Sequence, residues 1–123
     1  MVDKNNILKE VTGICESLNL PVPAKIKVRS EVKPYISNTK SPLAMAFRSA
    51  VSQKAGSSAK LVFKSGSGDM NILGNSWNIP AVTYGPGDTK LSHTNGEYIK
   101  LEDVGKSAEI VSDALILLER ETV

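Results

Sequence analysis

The side chains best suited to chemistry fall in two short stretches. The chain has a single histidine, His93, set in a polar run, Asp88-Thr89-Lys90-Leu91-Ser92-His93-Thr94-Asn95-Gly96-Glu97. An imidazole can bind a metal or carry a proton near neutral pH, and Asp88, Glu97 and Asp69 are carboxylates that could converge on it. A metal site needs three or four convergent donors. Taken alone, a single histidine among surface carboxylates is more often a solvated or hydrogen-bonded loop residue than a metal ligand. The second stretch is Ser65-Gly66-Ser67-Gly68-Asp69, a run of small residues ahead of a short helix. Such a loop exposes backbone N–H groups at the positive end of a helix dipole and can hold an anion or an oxyanion. The plainer reading is a tight turn that needs glycine for steric reasons. A phosphate loop fits poorly, because its lysine-serine ending is missing and the Asp69 carboxylate would repel a phosphate. A serine-histidine-acid triad is formally available, but no serine lies in a nucleophile-elbow context.

The elements that must position these stretches follow from periodicity. Ile7, Leu8, Val11, Ile14, Cys15 and Leu18 take the one-face spacing of an amphipathic helix from about Asp3 to Leu20, stopped by Pro21 and Pro23. Cys15 reads as a small apolar filler in its buried stripe. Ile26, Val28, Ser30 and Val32 alternate with Lys25, Lys27, Arg29 and Glu31, as in a strand with one wet face. Ser41-Pro42 is an N-cap with proline at the first helical position, Leu43, Ala46, Phe47, Ala50 and Val51 line the helix that follows, and Gly56 closes it. Leu61-Val62-Phe63 predicts a short buried strand, and Asp69 a cap for a short helix from Met70 to about Leu73. Ile79 to Tyr84 predicts another buried strand, broken at Gly85-Pro86-Gly87-Asp88. Val104, Ala108, Val111, Leu115 and Leu118 mark a final amphipathic helix. Strands alternating with helices predict an α/β sheet with parallel pairs, which would place both glycine-rich loops at carboxyl ends of strands, where such folds bind ligands.

Composition bounds the function. The chain has 123 residues, 41% hydrophobic and 23% charged, enough for one small core. A net charge of +2 is too weak to imply a nucleic-acid or membrane partner. One cysteine allows no internal disulfide and fits a reducing, cytoplasmic setting. No apolar run approaches a membrane span, and Met1-Val2-Asp3-Lys4 lacks a signal peptide's apolar segment.

The order of the pieces resembles a known family. Ser41-Pro42-Leu43 is followed by Lys64-Ser65-Gly66-Ser67-Gly68-Asp69-Met70-Asn71, then Ile79-Pro80-Ala81-Val82, Tyr84-Gly85-Pro86-Gly87-Asp88, His93-Thr94 and Glu97-Tyr98-Ile99. Together these resemble the C-terminal third of the metallohydrolases that include acetylornithine deacetylase, succinyl-diaminopimelate desuccinylase, carboxypeptidase G and the aminoacylases. The Gly-Asp-Met-Asn and Tyr-Gly-Pro-Gly-Asp segments are most similar to those of archaeal and thermophile enzymes that release lysine or ornithine from an acylated or carrier-protein-bound form.

The resemblance implies an α/β fold: the C-terminal part of a three-layer, zinc-exopeptidase-like sheet domain over residues 38–123, preceded over residues 1–37 by the last helix and strand of a lid and dimerisation domain. It implies a site of two metal ions per full-length subunit, zinc or cobalt, with His93 as the final metal ligand. Glu97 would act behind it, orienting the segment that holds the histidine. Gly66 and Ser67 match the glycine-threonine pair at the substrate carbonyl and carboxylate, with serine in place of the usual threonine, and Lys64 beside them could supply a charge for a substrate carboxylate. Gly96 departs from the asparagine or aspartate common before the acid. The family's remaining ligands and its general base have no match here, so the chain reads as part of an amidohydrolase of lysine or arginine biosynthesis, inactive by itself. The alternative is a non-catalytic module that binds a small anion or self-associates. Unpaired strand edges in a partial sheet predict a homo-oligomer.

Overall fold

The computed structural model describes residues 3–121. Met1 and Val2, read above as part of an N-terminus without a signal peptide, lie outside the described residues. The described residues form four helices in the order α1 (Lys4–Ser17), α2 (Pro42–Ala55), α3 (Asp69–Trp77) and α4 (Leu101–Glu121). They divide into two units, Met1–Pro34 and Tyr35–Val123.

The expected α/β sheet is absent among the described residues: the segments predicted as strands, 26–32, 61–63 and 79–84, form no strand at all. Alternation in a sequence reports which side a residue faces, but a strand exists only where a neighbour completes its N–H and C=O ladder. The links that do join 35–37 to 79–81 come from side chains. The Tyr35 hydroxyl donates to the Ile79 carbonyl at 2.6 Å, and the Ala81 N–H donates to the Ser37 hydroxyl at 3.0 Å. Leu61-Val62-Phe63 is exposed, not buried, with Val62 at 85% and Phe63 at 81%. The glycine-rich loops therefore follow irregular chain and not strand ends.

In the first unit, Asp3 caps α1 by accepting the Asn5 N–H at 3.1 Å. Lys4 pairs with Glu31 at 2.7 Å, tying the helix to the segment after Pro23. The apolar stripe of α1 has the predicted spacing but is not buried: Ile7, Val11, Ile14 and Leu18 are exposed and Cys15 is half-buried.

The second unit is built on the packing of α2 against α4. Ser41 accepts the Ala44 N–H and Pro42 opens α2, while Gly56 closes it at φ 63°, a left-handed conformation that a Cβ would strain. The chain then folds back, and the Ala59 N–H donates to the Ser52 hydroxyl. Ala44, Ala46 and Ala50 on α2 and Ser107, Ile110 and Ala114 on α4 are buried; Ala46, Ala50, Ile110 and Ala114 form the core cluster, with Phe47, Val51, Tyr84, Leu117 and Leu118 packed against it. The predicted α2 face is thus largely observed, packed on a helix instead of a sheet. On α4 the buried line is displaced by one position from the predicted one. Val104, Val111 and Leu115 are exposed, because α4 is apolar on two sides and the periodicity cannot say which of them meets α2.

An exposed ion pair, Lys54 with Glu109 at 2.5 Å, clasps the two helices. The Lys54 hydrogen bond and charge hold the Glu109 carboxyl below its ordinary range, and Glu109 raises Lys54 in return. The small stabilisation expected of a solvent-screened pair is present above the ordinary carboxylate pKa and is lost as pH falls through the lowered value of Glu109. At the alkaline end it is lost as pH rises through the raised value of Lys54.

The α3 helix extends to Trp77, beyond the predicted end, and its N-cap is Gly68 rather than Asp69, which is the first helical residue. The Asn71 side chain reaches back to accept the Gly68 N–H at 3.0 Å. Asn78 ends the helix in a left-handed conformation, its N–H on the Gly74 carbonyl.

Two predictions follow from this packing. Ala50→Leu, at a position 1% exposed, overfills the α2–α4 contact and lowers stability by about 1–3 kcal/mol, read as a shift of the urea midpoint. At Gly74 an added Cβ would fall 2.4 Å from the Tyr35 ring. Gly74→Ala therefore displaces that ring and breaks the Tyr35–Ile79 bond, and a double-mutant cycle with Tyr35→Ala shows coupling of about 0.5 kcal/mol or more.

Candidate functional site

The polar run carrying His93 is a series of tight turns. The N–H groups of Leu91, Ser92, Thr94 and Glu97 each donate to the carbonyl three residues back, on Asp88, Thr89, Leu91 and Thr94. Two side chains reinforce them: the Asp88 carboxylate accepts the Lys90 N–H at 2.9 Å, and the Thr94 hydroxyl donates to the Leu91 carbonyl at 2.7 Å. His93 stands out of the series. Its φ of 65° is left-handed, a conformation that costs a residue with a Cβ about 1–2 kcal/mol, although histidine tolerates it better than most. Its N–H donates to the Glu97 carboxylate at 3.0 Å. Glu97 thus reaches the main chain of the histidine, and among the described residues nothing hydrogen-bonds the imidazole, which stands exposed.

The three carboxylates that could have met at His93 do not converge on its ring. Asp88 is engaged by a main-chain N–H and Asp69 lies in the first turn of α3. Among the described residues no three His, Cys, Asp or Glu side chains are placed to hold a metal ion, so these residues alone do not fit a metal centre.

The glycine-rich loop is exposed throughout. The steric reading of its glycines finds no support: Gly66 and Gly68 are absent from the left-handed positions, and Gly68 is fully extended at φ −166°. A Cβ at Gly66 would meet only the Lys64 Cε at 3.7 Å, an ordinary contact, and one at Gly68 would meet open space. Lys64 therefore lies over Gly66, as the sequence placed it beside the loop. The structure brings together Lys64 with Gly66 and His93 with Glu97. No hydrogen bond or ion pair joins the two groups among the described residues. Tyr35 and Ser37, which tie 35–37 to 79–81, escaped the sequence reading because their partners lie 44 residues away and no local pattern announces them.

Comparison with known proteins gives this arrangement its context. The family model described as peptidase family M20/M25/M40 matches residues 3–116. The chain belongs to that family. Among relatives, a Pyrococcus furiosus protein is 44% identical over 87 residues, 71% of this chain and 26% of its own length. One from Pyrococcus horikoshii is 45% identical over 84 residues, 68% of this chain and 26% of its own length. Both carry the name LysW-lysine/LysW-ornithine hydrolase provisionally. The LysW-lysine hydrolase of Deinococcus radiodurans is 34% identical over 76 residues, 62% of this chain and 21% of its own length. The chain thus spans about a quarter of the length of the curated relatives it matches. The resemblance to the metallohydrolases is borne out at the level of the family and of these relatives. No helix among the described residues is long and apolar enough to cross a membrane.

In this family member the histidine is held at a conformational cost. His93→Gly relieves the left-handed strain and raises stability by up to about 1 kcal/mol, measured as an increased urea midpoint, while removing the imidazole.

Proposed function

We propose that this chain supplies part of the active site of a metal-dependent hydrolase that cleaves the amide joining lysine or ornithine to an acyl group or a carrier protein, in lysine or arginine biosynthesis. The observation that carries the reading is the family match over residues 3–116, which includes both chemical stretches. Relatives named for LysW-linked lysine and ornithine support a carrier-linked substrate. His93 is one donor to a centre of two zinc or cobalt ions whose other ligands and general base lie outside these residues. The Gly66 N–H and the Ser67 hydroxyl donate to the substrate carbonyl or carboxylate, and the exposed Lys64 side chain beside Gly66 supplies a cation for a carboxylate. The lone Cys15 supports a reducing, cytoplasmic setting.

A chimera tests this. With zinc or cobalt, the 123-residue chain alone releases no lysine from an amide-linked carrier or from acetyl-lysine. A chimera in which this chain replaces the corresponding part of the Pyrococcus furiosus relative supports release, and His93→Ala in that chimera lowers turnover about a hundredfold. Full turnover after His93→Ala overturns the assignment.

Self-association is the second reading, favoured by the exposed Val62 and Phe63 and no longer by strand edges, which the described residues lack. Sedimentation of the isolated chain then shows average mass rising with concentration, and Phe63→Lys lowers it. A single monomeric species over the whole range counts against association.

A further inference from the structure

We infer that Glu97 is a positioning residue whose carboxylate fixes the direction of the His93 imidazole by holding that residue's main chain. The resemblance implied that Glu97 orients the segment that holds the histidine, and the geometry points to the bond that does it, from the His93 main-chain N–H to the carboxylate. Within 88–97 the turn bonds satisfy the N–H groups of Leu91, Ser92, Thr94 and Glu97, and the Asp88 side chain takes that of Lys90. The series skips His93. There the backbone changes hand, at φ 65°, and the N–H is taken up by the Glu97 carboxylate at 3.0 Å. The turns on either side supply two further anchors, since the Thr94 hydroxyl bonds back to Leu91 and the Glu97 N–H bonds to the Thr94 carbonyl. Glu97 is thus tied at both ends, through its own amide and through its carboxylate, to the turn it stabilises.

The consequence follows from covalent geometry. The Cα–Cβ direction of a residue is set by its main chain, and moving His93 from a left-handed to a right-handed or extended conformation swings the imidazole to another side of the loop. An exposed ring with no hydrogen bond of its own has little else to hold it. A carboxylate suits the task because it accepts a charge-assisted bond from the N–H, and a glutamate four residues on reaches back across a loop that turns through 94–97.

This inference rests on His93 being a site residue, and the test separates the two claims. Amide hydrogen exchange and NMR on the isolated chain compare the native protein with Glu97→Ala and Glu97→Gln. Glu97→Ala speeds exchange of the His93 amide about tenfold, while the other protected amides of α2 and α4 keep their rates. It also removes the strong intraresidue contact between amide and α protons that marks a left-handed residue. Glu97→Gln, whose amide oxygen still accepts, retains most of the protection and that contact. In the chimera described above, Glu97→Ala lowers kcat with little change in KM and Glu97→Gln restores most of it. An unchanged His93 exchange rate and an intact left-handed signature in Glu97→Ala overturn the proposal, whatever the chimera does. Loss of both with rescue by glutamine supports it even where the chimera shows His93 to be dispensable, a result that would fault the hydrolase reading alone.

Discussion

The contact of α2 with α4 through alanine is the constraint on which the larger unit depends. Ala44, Ala46, Ala50 and Ala114 are buried almost completely, and Ile110 is the one larger buried hydrophobic residue among the described residues. Small side chains let two helix backbones approach closely, so the stability of the contact comes from close fit more than from apolar bulk. Such a contact has little room to adjust. A core of this size removes little apolar surface from water, and much remains outside it: Val62, Phe63, Trp77 and Leu101 are exposed, as is one side of α4. The unit is therefore held by a narrow seam, with the Phe47–Tyr84 ring pair, 5.6 Å between centroids, at its margin.

From that seam the chemical stretches hang as loops. Neither is shaped by the core directly. The 65–68 loop is ordered on its C-terminal side by the Asn71 bond to Gly68 at the start of α3, and the 88–97 loop by its own series of turns. Local hydrogen bonding can order a polar loop without burial, because six of the backbone N–H groups of 90–97 find an acceptor within four residues, those of Lys90 and His93 on the side chains of Asp88 and Glu97. Short-range construction of this kind explains how a histidine in an exposed segment can still have a defined main-chain conformation.

The family was legible because it is written in local combinations. Gly-Asp-Met-Asn, Tyr-Gly-Pro-Gly-Asp and His-Thr followed by Glu are spacing signals that need no knowledge of contacts, and the comparisons agree with them at the level of the family. The helix caps were legible for the same reason: Ser41, Pro42 and Gly56 act within one turn of their own position. The sheet was misread because the alternation of 26–32 and the apolar runs at 61–63 and 79–84 are necessary for strands but do not supply neighbours. The apolar stripe of α1 was read in the right register and in the wrong environment, since amphipathic spacing predicts a face and not its cover.

By itself, then, the sequence determined where the helices begin and end to within a few residues, the family, and which residue types are available for chemistry, all of which depend on interactions spanning one turn or less. Tertiary structure alone decided that α2 packs on α4 and not on strands, which of the two apolar sides of α4 is buried, and that Tyr35 and Ser37 bind a segment 44 residues away. It also decided that Glu97 grips the main chain of His93 and leaves the ring free. These depend on which groups meet in space, and a one-dimensional pattern records what each residue offers but not what it meets.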